Sequence, residues 1–210
     1  MTKLDAAFWS QRYQENNTGW DIGYPSTPLK EFIDQLNDKD ISILIPGAGN
    51  AYEAGYLLEQ GFKNVHVVDL AQEPLDRFKA SYPKMPDHQL IKGNFFDHSG
   101  QYNLVFEQTF FCAIEPELRP NYASKMKDLL APNGQLVGVM FDFPLTEKGP
   151  PFGGSEAEYR STLEKYLTID KLEACHNSIK PRAGSELFLI ARNTAYPSQR
   201  QPCKLDLQSR

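Results

Sequence analysis

Ile41-Ser42-Ile43-Leu44-Ile45-Pro46-Gly47-Ala48-Gly49 and, one helix later, Val65-His66-Val67-Val68-Asp69 are the stretch that decides the fold. The first run is apolar, of strand length, and ends in a glycine turn. Between the two runs, residues 51–60 put Ala54, Leu57 and Leu58 on one helical face, with Gly61 placed to cap the helix end. Strand, turn, helix and strand in that order form a βαβ unit, whose parallel strands need a crossover helix.

The alternation continues outward. Pro74 suits the first turn of a helix carrying Leu75, Phe78 and Tyr82. A short strand near 88–92 leads to Gly93-Asn94-Phe95-Phe96-Asp97, and a further strand runs from Asn103 to Glu107. A helix over 117–130 stops at Pro132-Asn133-Gly134, before a strong strand from Gln135 to Phe141. Ser155 and Glu158 have capping-box spacing and open a helix to about residue 166. Two strands, 171–177 and 185–192, follow in succession. Upstream, helices are expected at 5–15 and 27–37. The pattern predicts a doubly wound, mostly parallel α/β sheet of Rossmann-like type, its last strand antiparallel, with a core over 41–193 and a loose polar tail at 194–210.

Composition narrows the function classes. The 210 residues are 40% hydrophobic and 23% charged, ordinary for a globular domain. Net charge is −5 and no Lys/Arg cluster stands out, which argues against nucleic acid. No apolar run approaches the ~20 residues of a membrane span, and no secretory signal precedes the first helix. The 3 cysteines and 4 histidines are scattered, without metal-ligand or disulfide spacing, as in a cytoplasmic protein with no metal.

Doubly wound sheets bind ligands at the carboxyl ends of their strands. Gly47 and Gly49 let backbone approach a ligand there, and the following helix offers free N–H groups. Asp69, ending the second strand, can accept from both hydroxyls of an adenosine ribose, and it can also cap the following turn. A glycine loop with such an acid serves NAD and S-adenosyl-L-methionine alike. The dinucleotide fingerprint, however, wants a third glycine where Tyr52 stands, which would crowd a pyrophosphate. That favours the methyl donor over a nicotinamide oxidoreductase; a binding module without turnover is the other alternative.

Four segments carry a resemblance: Asn17-Thr18-Gly19-Trp20-Asp21-Ile22-Gly23, Ile45-Pro46-Gly47-Ala48-Gly49, Phe110-Phe111-Cys112-Ala113-Ile114-Glu115-Pro116-Glu117-Leu118-Arg119-Pro120 and Gly149-Pro150-Pro151-Phe152. Over residues 8–192 the chain resembles the thiopurine methyltransferase superfamily, in particular its thiol and halide methyltransferase branch. The resemblance implies a class I methyltransferase with a seven-stranded sheet. It also implies S-adenosyl-L-methionine as donor, S-adenosyl-L-homocysteine as product, a small-molecule acceptor with a soft nucleophilic atom, and a monomer. Residues 1–40 would form a lid, with Trp9, Tyr13 and Trp20 closing over the donor. Glu53 and Glu107 would place the methionine end, and Asn94 and Phe95 would flank the adenine. Tyr13 stands where the family often has Trp, and Asn94 where many class I enzymes have Asp.

Elementary chemistry agrees. A sulfonium is drawn to aromatic faces by ~0.5–2 kcal/mol, and a direct displacement depends mainly on alignment. Phe110, Phe111 and Tyr159 are candidates for the acceptor pocket. Cys112 reads as a buried small hydrophobe. Arg119, Arg182 and Glu186 either pair structurally or meet an anionic acceptor.

Overall fold

The computed structural model describes residues 3–194. Its seven strands are β1 (Ile43–Pro46), β2 (Val65–Asp69), β3 (Leu90–Lys92), β4 (Tyr102–Gln108), β5 (Leu130–Phe141), β6 (Thr168–Ala174) and β7 (Glu186–Arg192). They form one sheet in the order β3-β2-β1-β4-β5-β7-β6. Every pairing from β3 to β5 is parallel, and β7 runs antiparallel to both β5 and β6. The sheet is thus the predicted one, with the reversed last strand slotted between β5 and β6.

Side chains alternate between two cores. Ile43 and Ile45 of β1, with Val65, Val67, Leu104 and Phe106, pack under α2 (Thr27–Ile33), α3 (Tyr52–Glu59) and α4 (Glu73–Ser81). Leu44, Val68, Val105 and Leu136 face the other way, under α5 (Arg119–Leu129) and α6 (Glu156–Leu163). All four residues of β1 are buried, as a central parallel strand covered on both faces requires. The remaining helix, α1 (Ala6–Gln14), lies against α4.

Boundaries differ where local geometry breaks period. The 27–37 helix ends at Ile33, although Leu36 still packs on the core. The expected 171–177 strand is β6, three positions earlier, because a register shift between Ile169 and Lys171 breaks the alternation that marks a strand. The Pro132-Asn133-Gly134 stop is a kink within β5: Asn133 takes φ +62°, and a Cβ on Gly134 would lie 2.7 Å from the Tyr102 carbonyl. Ser155 caps α6 through Glu158 N (3.3 Å), but the Glu158 carboxylate pairs with Arg119 instead of closing the box. Of the tail expected at 194–210, residues 195–210 lie outside the described residues.

Neighbouring β1 and β4 leave the first switch in strand order, where α/β sheets open a crevice at their carboxyl ends.

Candidate active site

The loop leaving β1 opens this crevice. Gly47 and Gly49 take φ +72° and +53°, and Ala51, heading α3, takes +51°. A left-handed alanine stores strain of about 1–2 kcal/mol, which the surrounding structure must hold. Two bonds do so locally: Gly47 N donates to Val68 O (2.8 Å), and Ala51 N to Ala48 O (2.6 Å). Asp69 finishes the clamp. Its Oδ2 accepts from Ala48 N (2.7 Å) and its Oδ1 from Ala71 N (2.8 Å), so one carboxylate joins the loops after β1 and β2. Both readings of Asp69 left open by the sequence are therefore compatible with its position. Burial pushes its carboxyl pKa up to about 6 against the pull of these N–H groups.

The N-terminal segment folds over the loop. Asp5 caps α1 through Phe8 N (3.2 Å), and Ser10 and Gln14 donate to Glu73 of α4 (2.9 and 2.8 Å). Trp20 meets the edges of Trp9 and Tyr13 at ring distances of 5.6 Å each, with the Arg12 guanidinium 5.3 Å from its ring. A Cβ on Gly49 would stand 3.6 Å from the Trp20 Nε1. Tyr13 is buried, and burial, then the Asp69 charge, push its phenol pKa well above the ordinary range. Tyr52, at the place of the missing third glycine, donates to Asp21 (3.0 Å), which also accepts from Asn50 (2.6 Å). The phenol that spoils a dinucleotide fingerprint thus fastens the N-terminal segment to α3.

The opposite wall comes from later in the chain. Asn94 accepts from Phe96 N (3.0 Å), shaping the turn that presents Phe95. Phe95 meets the edge of Phe110 at 5.1 Å, and Phe110 lies so near the glycine loop that a Cβ on Gly47 would come within 2.5 Å of its ring. Beyond it lie Thr109, Cys112, Phe141, Phe143, Pro150, Pro151 and Arg182. Together these surfaces bound a cavity of about 710 Å³, of a size to hold a cofactor and a small second molecule.

Ten predicted residues meet on this cavity: Trp9, Tyr13, Trp20, Gly47, Gly49, Glu53, Asp69, Asn94, Phe95 and Phe110. Glu53 accepts from Ser26 N (2.9 Å), and its carboxyl is raised by burial. Three others do not line it. Glu107 points into the core beneath the wall, where Phe110 N, Phe111 N and the Tyr122 hydroxyl occupy its oxygens. The resemblance implies a place for Glu107 at the methionine end; here β4 presents it toward Tyr122 of α5 and not on the cavity wall. Phe111 and Tyr159 are likewise set behind the wall, ring against ring at 5.5 Å, with the Tyr159 hydroxyl donated to Phe141 O.

Arg119 and Arg182 separate clearly. Arg119 is buried with Glu158 and Gly153 O, and its guanidinium lies 4.6 Å from the Phe111 ring centre, so it is structural. Arg182 reaches the cavity, donates to Trp20 O (3.0 Å), stands 3.5 Å from Glu186 and lies over Phe141. Burial and the Glu107 charge push the Cys112 thiol well up, so it stays protonated. Phe141, Phe143 and Thr109 line the cavity with no signal in the sequence: Phe141 ends a core strand, Phe143 lies in the aperiodic loop after it, and nothing in the residue type marks the turn at Thr109.

Comparison with known proteins identifies the family and the fold. Residues 4–196 match the family described as Thiopurine S-methyltransferase (TPMT). The chain is 27% identical over 195 residues to the probable thiol methyltransferase 2 of Arabidopsis thaliana, covering 89% of this chain and 84% of the relative. It is 27% identical over 184 residues to thiocyanate methyltransferase 1 of Brassica oleracea (85% and 81% covered), and 25% identical over 189 residues to a thiopurine S-methyltransferase of Acinetobacter baylyi (79% and 87%). Among solved structures, the Burkholderia thailandensis 1,6-didemethyltoxoflavin-N1-methyltransferase with bound S-adenosylhomocysteine shares the fold. Its TM-score is 0.73 at 18% identity, with 90% of this chain and 87% of that one covered. A TehB-like methyltransferase from Corynebacterium glutamicum does so at 0.63 and 17%, with 90% and 98% covered.

Proposed function

The chain belongs to the thiopurine S-methyltransferase family and is an S-adenosyl-L-methionine-dependent methyltransferase of the thiol, thiocyanate or thiopurine type; we propose that its cavity aligns the donor with a small soft nucleophile, a thiol, bisulfide, thiocyanate, halide or thiopurine sulfur. One observation carries the reading. The glycine loop, the Asp69 carboxylate and the aromatic N-terminal segment bound one end of the same cavity whose other end is lined by Phe110, Phe141 and Phe143.

The residues present fit the donor. Gly47 and Gly49 leave backbone bare: a side chain at Gly47 would strike Phe110, and both glycines hold a positive φ. Asp69 has an oxygen lone pair free beyond its two backbone bonds for ribose hydroxyls. Asn94 and Phe95 take the adenine, and Glu53 the methionine amine. Residues up to about 40 act as a lid, with Trp9, Tyr13 and Trp20 excluding water and offering ring faces to positive charge. Bound there, the donor supplies a methyl group on a sulfonium. The chain's own contribution is alignment and dryness, worth far more to a displacement than a base would be to an acceptor already ionised at neutral pH. Consistent with that, the Cys112 thiol on the cavity wall and the Tyr159 phenol behind it are both pushed up by burial and stay protonated.

The two tryptophans of the chain, Trp9 and Trp20, both lie in the lid, so intrinsic fluorescence reads the proposed closure directly. Titration with S-adenosyl-L-homocysteine is expected to change it saturably, and Trp20→Phe to remove most of the change. A donor that binds with no fluorescence response would sink the lid assignment.

A further inference from the structure

We propose that Glu107 and Tyr122 are positioning residues for the acceptor side of the site, holding the Phe110–Cys112 turn at a set distance from the glycine loop. The inference rests on the methyltransferase reading above. It replaces the donor-side role that resemblance implies for Glu107.

Glu107 is 1% exposed, and no Lys or Arg among the described residues pairs with it. A buried carboxylate without a counter-charge is costly unless hydrogen bonds satisfy it. Three donors do: Phe110 N (2.8 Å) and Phe111 N (2.9 Å) to Oε1, and the Tyr122 hydroxyl (2.7 Å) to Oε2. Space is reserved for it, since a Cβ on Gly138 of neighbouring β5 would come within 2.5 Å of the Glu107 Cβ. Tyr122 is fully buried on α5 and wedged between Phe95, at 5.6 Å, and Phe111, at 4.9 Å.

What this group holds is a strained turn. Thr109 takes φ +57°, a conformation that a β-branched residue keeps only when its surroundings impose it. Two consecutive N–H groups anchored on one carboxylate oxygen supply that imposition. The turn then sets two parts of the acceptor wall. Phe110 is laid onto Gly47, and the Cys112 carbonyl accepts from Phe152 N (2.7 Å), drawing in the Pro150–Pro151 segment. The glycine loop and the N-terminal segment are fastened separately, through Asp69, Glu73 and Asp21, and of the donor residues only Phe95 touches Tyr122. Loosening Glu107 should therefore disturb the acceptor wall and spare the donor end.

The thiol of Cys112 sits within this turn, and that of Cys175 lies in the opposite core at the end of β6. Alkylation rates in a Cys203→Ser background compare the two. For Glu107→Ala we expect Cys112 to react at least about tenfold faster by local opening, with Cys175 unchanged. Affinity for S-adenosyl-L-homocysteine should stay within about threefold, while kcat/KM for any acceptor turned over falls by about tenfold or more. Glu107→Gln keeps an oxygen for both N–H groups and should restore the Cys112 rate. Tyr122→Phe should lie between, and it decides the matter by the same readout if Glu107→Ala does not fold. The proposal is overturned if homocysteine-product affinity falls about tenfold with the Cys112 rate unmoved, which would return Glu107 to the donor. It is equally overturned if both cysteines accelerate together, the mark of general destabilisation. Should the unaltered protein fail to bind the product at all, the methyltransferase reading fails, while the thiol rates still decide whether the wall is held by Glu107.

Discussion

The two ends of the cavity are made in different ways. The floor of the proposed donor end is built from backbone: the loop after β1, the loop after β2, and one carboxylate joining them. Its parts lie close together in sequence and at the tips of two paired parallel strands. The acceptor end is built from side chains on four separated segments around Phe110, Phe141, Pro150 and Arg182, each placed by contacts beneath it. A site made of strand ends and glycines is fixed by the fold, whereas one made of loop side chains can be re-lined without disturbing it. On the proposed reading, such a division lets the acceptor end be re-lined while the donor end is kept.

The sharpest way to break the comparison is to join the two ends at their point of contact. Gly47 touches Phe110, so Gly47→Ala combines a positive φ with a clash against the acceptor wall. The cost is expected at about 2–4 kcal/mol of folding stability, with both donor and acceptor affinity impaired. Chemical denaturation and product titration check this; a variant weakened for the acceptor alone would show that the ends are more independent than described.

Asp69→Ala should affect the donor end alone, weakening product affinity by about 2 kcal/mol, roughly 30-fold, with acceptor KM little changed. Protonation offers a milder form of the same change. The Asp69 pKa is raised to about 6, so the folded protein holds a proton there that the unfolded chain has released. Stability contributed through this group therefore falls as pH rises from about 4 to 6. Donor affinity has the opposite sign, because ribose hydroxyls need the carboxylate: binding should strengthen through pH 6 and level off above it. Asp69→Asn should abolish that pH dependence in calorimetric titrations, and its persistence would assign the titration to another group.

The smallest effect is expected at the acceptor end. Phe143→Ala removes one ring that leans on Phe141 at 5.1 Å, and should raise acceptor KM about fivefold while leaving product affinity unchanged.

The same contrast explains what was legible in the sequence. β1, β2 and Asp69 were readable because strand period, glycine turn and acid are all local signals, and the parallel direction of the strands follows from alternation, though their order does not. β6 was displaced because its register shift erases period. Of the two phenylalanines that aromatic chemistry offered for the acceptor pocket, Phe110 lines the cavity and Phe111 does not, while the resemblance assigned Glu107 by position along β4 and not by the face on which β4 presents it. Adjacent strand residues point to opposite sides, so a one-residue step separates a ligand contact from a buried brace. Tyr52 carried two meanings, of which only the exclusion of a pyrophosphate could be read; its bond to Asp21 depends on how the N-terminal segment folds back.

The most direct test of the account is mass spectrometry of the protein incubated with S-adenosyl-L-methionine and, separately, bisulfide, thiocyanate, iodide, an aryl thiol and a thiopurine. The account predicts S-adenosyl-L-homocysteine and a methylated product in matching amounts with at least one acceptor, and the loss of both in Asp69→Ala at low donor concentration. Donor consumption no faster than in buffer with every acceptor, by a folded protein, would contradict it.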